Sequence, residues 1–102
     1  MSDMAKEIAD LLRAAGITVA HGNRAKGVIV EAHGEGVCAL RFRPERPASL
    51  PHGLPWDADG AACALAHDTI AALVGRPYTR TLEGATGRAL TLLVSRREGV
   101  AA

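Results

Sequence analysis

The stretch Gly60-Ala61-Ala62-Cys63-Ala64-Leu65-Ala66-His67-Asp68-Thr69-Ile70-Ala71-Ala72-Leu73-Val74-Gly75 decides how the rest of the chain is placed. Between Ala61 and Val74 only His67, Asp68 and Thr69 are polar, so at about 100° per residue no charged face suited to water emerges. A helix of this kind lies between two layers or against another chain. Asp57 or Asp59 is positioned to cap its start, and Gly75 and Pro77 close it.

Working outward, Tyr78 to Leu82 and Arg88 to Ser95 read as two strands joined through Glu83-Gly84-Ala85-Thr86-Gly87. Upstream, the segment from Pro44 to Pro55 carries four prolines, which remove backbone donors and fix φ, so no regular element is expected there. Before it, Gly27 to His33 and Val37 to Arg43 flank Gly34-Glu35-Gly36 as an antiparallel hairpin. Ile17 to Ala20 reads as a short strand and His21-Gly22-Asn23-Arg24 as a turn. At the start, Ser2 or Asp3 caps a helix whose apolar positions Met4, Ile8, Leu11, Leu12 and Ala15 fall at helical spacing, with Gly16 as its left-handed stop.

The order is therefore helix, three strands, long loop, helix, two strands. Only one face of each hairpin is apolar enough to bury, which predicts an α+β domain: an antiparallel sheet of about five strands with two helices on one face. Residues 1–95 form this single domain and 96–102 a flexible tail. There is no exact internal repeat, although each half is a helix followed by strands. The order of elements resembles that of the secretion-chaperone-like α+β domains, without that fold's final helix. That resemblance implies a small dimeric protein that binds other polypeptides.

Composition excludes several classes. The chain has 102 residues, enough for one core, and its only aromatic residues are Phe42, Trp56 and Tyr78, so small aliphatic side chains must fill that core. No apolar run nears the ~20 residues that span a bilayer, and the N-terminal residues lack the basic and apolar regions of a signal peptide. The expected location is the cytoplasm, with no membrane contact. Basic residues are overwhelmingly Arg, which with abundant Ala and Gly suggests a GC-rich bacterial genome. A formal net charge of +1 creates no global field for nucleic acid or an anionic membrane.

Chemistry-bearing motifs are scarce. Cys38 and Cys63 lack C-x-x-C spacing and read as buried free thiols. Cys63 and His67 share a helix face four residues apart, but a metal site needs three or four converging ligands and no second pair has that spacing. Asp57-Ala58-Asp59-Gly60 opens like a calcium loop and then departs from it, with no Glu at the twelfth position. Neither cysteine lies among charges that would make it a nucleophile, Ser49 and Ser95 have no nucleophile-elbow context, and no glycine-rich phosphate loop occurs. No catalytic residue, metal or cofactor is assigned, and the chain is not expected to be an enzyme.

What remains is a protein-interaction module, homodimeric and chaperone- or adaptor-like, binding itself and another protein. Its contact residues are Trp56, Leu65, Ile70, Leu73 and Val74, with Trp56 either an anchor in the proline-rich loop or a plug in the core. The alternatives are a nucleic-acid-binding or regulatory protein using an Arg-rich strand face (Arg41, Arg43, Arg80 and Arg88) or a small-molecule binder beneath residues 44–56. Against nucleic acid stand the near absence of aromatic stacking residues and the nearness of Glu31, Glu35 and Glu45 to the basic positions.

Overall fold

A computed structural model describes residues 3–20, 26–34, 36–51, 53–84 and 90–96. Several expectations lie outside these residues: the Ser2 cap, the turn at His21 to Arg24, Arg88, and the tail beyond Arg96.

Two helices, α1 (Asp3–Ala14) and α2 (Ala58–Leu73), pack with four strands, β1 (Gly27–Ala32), β2 (Val37–Arg43), β3 (Tyr78–Glu83) and β4 (Thr91–Arg96). The strands form one antiparallel sheet in the order β1-β2-β4-β3. The fold is thus α+β with two helices, as read from the sequence, but the sheet has four strands rather than five. Ile17 to Ala20 makes only one isolated parallel bridge, Val19 with Val28, because a parallel neighbour that is too short cannot build a ladder.

Alternation along the strands sets the layers. Val28, Cys38, Leu40, Phe42, Leu92 and Val94 point to one face, where they meet Met4, Ile8 and Leu12 of α1 and Ala62, Ala66 and Leu73 of α2. α1 lies on β1 and β2, while α2 lies on β2 and against α1. Ile8, Leu12, Leu40, Leu73 and Leu92 are essentially solvent-free, each contributing about 1.5–3 kcal/mol by burial. Thr69, the one buried polar residue among the described residues, donates its hydroxyl to the Leu65 carbonyl at 2.8 Å and so is satisfied.

The ends of α2 follow from local chemistry. Asp57 is the cap, its carboxylate accepting the Gly60 N–H at 2.9 Å. β4 reaches Arg96, one residue into the expected tail.

Exchanging the two hairpins leaves the strand order unchanged, so the sheet has a pseudo-two-fold axis between β2 and β4. This symmetry gives the sheet two comparable edges, β1 and β3.

Candidate functional site

The β1 edge is covered. Thr18 accepts the Val28 N–H at 2.9 Å, and Ala20 donates its own N–H to the Val28 carbonyl at 2.8 Å. Gly27 makes this approach feasible: it has φ +124°, and a Cβ there would lie 2.5 Å from the Thr18 carbonyl oxygen. The β3 edge has no described strand beyond it. Only Tyr78 of β3 is buried; Thr79 to Glu83 are exposed, and Leu82 is 49% accessible. Leu54, Val74 and Leu82 are the exposed large apolar side chains among the described residues, and of these Leu82 alone sits on a strand. An unpaired strand with a row of backbone donors and acceptors is a template for another extended chain.

One end of β3 is fastened to the helix layer. The Tyr78 hydroxyl donates to Glu7 of α1, and the Arg96 guanidinium reaches the other oxygen of the same carboxylate at 2.9 Å. These partners, the Tyr78 hydrogen bond first, hold the Glu7 carboxyl below its usual pKa. Burial, reinforced by the Glu7 carboxylate, pushes the Tyr78 phenol up to about 12.

A cleft of about 460 Å³ opens at the other edge, where the start of β1 and the end of β2 meet the proline-rich loop and the first turn of α2. Lys26, Arg41, Arg43, Trp56 and Asp59 line it around an apolar floor that includes Phe42. Arg46 orders the loop that delivers Trp56, its Nη2 donating to the carbonyls of Pro51 at 2.7 Å and Leu54 at 3.3 Å. Trp56 is half-buried, and its carbonyl accepts the Ala58 N–H at 3.0 Å just before α2 begins. Arg41 forms an exposed ion pair with Glu31.

The residues expected to act together are distributed differently. Leu73 is enclosed in the core, so it offers no surface; Leu65 and Ile70 are half-buried against that core, and Val74 is exposed. The outward face of α2 includes Cys63, Ala64, His67, Asp68 and Ala71, with Val74 just past its end, so the all-round apolar pattern reflects small residues more than a second apolar face. Cys38 is buried as expected, but Cys63 is exposed. The three described arginines, Arg41, Arg43 and Arg80, do not share a face. Arg41 alternates to the open face of the sheet with Arg43, whereas Arg80, level with Val94, lies on the helix side of β3. Among the described residues no group of three or more His, Cys, Asp and Glu could hold a metal, and no helix is long and apolar enough to cross a membrane.

Sequence reasoning had no signal for Lys26 or Arg46, lone basic residues in connecting segments. The Glu7, Tyr78 and Arg96 cluster joins residues from three elements and is equally silent in sequence. Known proteins add no further guide. No family model, curated protein or solved structure matches the chain.

Proposed function

We propose that the chain works by protein contact, as a non-catalytic interaction module that forms a homodimer through antiparallel pairing of β3 with β3 of a second copy. The observation that carries this reading is the contrast between a covered β1 edge and an open β3 edge bearing an exposed leucine. A two-fold axis normal to the sheet pairs only positions that share a face. Centring the pairing on Arg80 would oppose two like charges. Centring it on Thr81 sets Thr81 against its own copy and Thr79 against Glu83, and it sets Arg80 against Leu82, where the aliphatic stem of the arginine covers the leucine. The sheet would then run through eight strands across the dimer. The dispersed positions of Arg41, Arg43 and Arg80 favour this reading over a nucleic-acid-binding strand face.

The register supplies the test. Light scattering at high micromolar concentration should give a dimer for the wild type and a monomer for Leu82→Lys, which opposes Arg80 with a second cation. Adding Arg80→Glu to Leu82→Lys restores opposite charges and should restore the dimer. A wild-type protein that stays monomeric at that concentration overturns the proposal, as does a Leu82→Lys protein that remains dimeric.

A further inference from the structure

We infer that the cleft beneath the proline-rich loop binds a nucleoside phosphate, either free or as the end unit of a single strand. This inference is independent of the β3 contact, which lies at the opposite edge of the sheet. Three cationic residues, Lys26, Arg41 and Arg43, line the cleft, with Asp59 as the lining carboxylate. Lys26 has no ion-pair partner among the described residues. Arg41 gives Nη2 to Glu31 in a solvent-exposed pair, an interaction that holds it only weakly and leaves other guanidinium N–H groups to donate. A phosphate takes up such donors in a charge-assisted, often bidentate way.

The apolar half of the site narrows the ligand class. An inorganic anion needs no aromatic wall, yet Trp56 forms one, half-buried, beside an apolar floor that includes Phe42. An indole face offers stacking of about 1–3 kcal/mol to any nucleobase. Asp59 is the lining acceptor for sugar hydroxyls. A volume of about 460 Å³ suits one small ligand of the size that pockets of about 300–1,000 Å³ enclose, rather than several consecutive nucleotides.

Trp56 is the only tryptophan, so its emission reports directly on the cleft. Adenosine monophosphate and uridine monophosphate should each change that emission saturably, and inorganic phosphate should bind at least about tenfold more weakly because it lacks the stacking partner. Lys26→Ala and Arg43→Ala should each weaken the nucleotides by about tenfold while circular dichroism stays unchanged. A single-stranded oligonucleotide separates the two sources: tighter binding than the mononucleotide assigns the site to a strand end, and equal or weaker binding assigns it to the free nucleotide. No saturable change with either mononucleotide up to millimolar concentration overturns the inference. Binding that survives the Lys26→Ala, Arg43→Ala double variant, or inorganic phosphate binding as tightly as the nucleotides, overturns it as well.

Discussion

The two edges of the sheet are equivalent by pseudo-symmetry and opposite in exposure. β1 is shielded on its edge by the backbone of residues 18–20 and on its face by α1, so Val28 is solvent-free. On β3 only Tyr78 is buried, and Thr79 to Glu83, Leu82 among them, are exposed. The cause lies in the connections. Twelve residues separate Ala14 of α1 from Gly27 of β1, enough for the chain to double back along the strand, whereas only Val74 to Pro77 separate α2 from β3. Among the described residues no backbone covers the outer side of β3, which carries Arg80 and Glu83, charges of the kind that blunt open sheet edges.

The covered β1 edge is most vulnerable at Gly27. Gly27→Ala places a methyl group 2.5 Å from a backbone oxygen and forces a non-glycine residue to φ +124°. The expected cost is about 2–4 kcal/mol, read from the urea midpoint. Peeling residues 18–20 away would also create a second open edge, so the variant should form species larger than a dimer. An unchanged midpoint would mean that the cover contributes nothing to stability.

A smaller effect is expected where β3 is fastened down. Tyr78→Phe removes the donor to Glu7 and should cost about 1 kcal/mol, less than a fully buried charge-assisted bond because Glu7 is well exposed. Its signature is in the pH profile. Glu7 is depressed in the fold, so its contribution is present above its unfolded value near 4.5 and fades as pH falls through the lower folded value. Tyr78 is raised, so its contribution is complete below its unfolded value of 10.0 and is lost as pH rises toward about 12. Chemical denaturation across both windows should show the wild type losing stability at each end, and Tyr78→Phe should flatten both losses. An identical alkaline limb in the two proteins would sink the assignment.

Much of this architecture was legible in the sequence because it is written in local patterns. The hairpin at Gly34 and Gly36, the helix spacing of Met4, Ile8 and Leu12, and the Asp57 cap all depend on neighbours within a few residues. Val37 to Arg43 emerged with its observed bounds. The fifth strand failed because Val19 pairs with Val28 through a folded-back connection that supplies only one bridge. The reading of α2 as apolar all round failed on size: Ala64 and Ala71 are apolar on a wheel but present little surface to a partner. Trp56 and Arg43 were singled out for different roles, and nothing local indicated that the end of β2 and the end of the loop share one cleft. Long-range placement, not residue chemistry, is what the pattern could not supply.

The smallest stability effect is expected at Leu82 of the open β3 edge. Leu82 is 49% accessible, so Leu82→Ser should change the stability of the isolated chain by no more than about 0.5 kcal/mol, although leucine-to-polar changes in a core are among the most damaging. Its effect should appear through mass action. If β3 pairs with a second copy, the melting temperature of the wild type should climb with protein concentration, since assembly adds stability that depends on how much partner is present. Leu82→Ser should lie on the wild-type value at the lowest concentration and fail to climb. Two parallel rising lines would show that Leu82 is irrelevant to assembly, and two flat lines would show that no assembly occurs. A large loss at low concentration would instead mean that Leu82 belongs to the chain's own core and that the two edges differ less than their exposure implies.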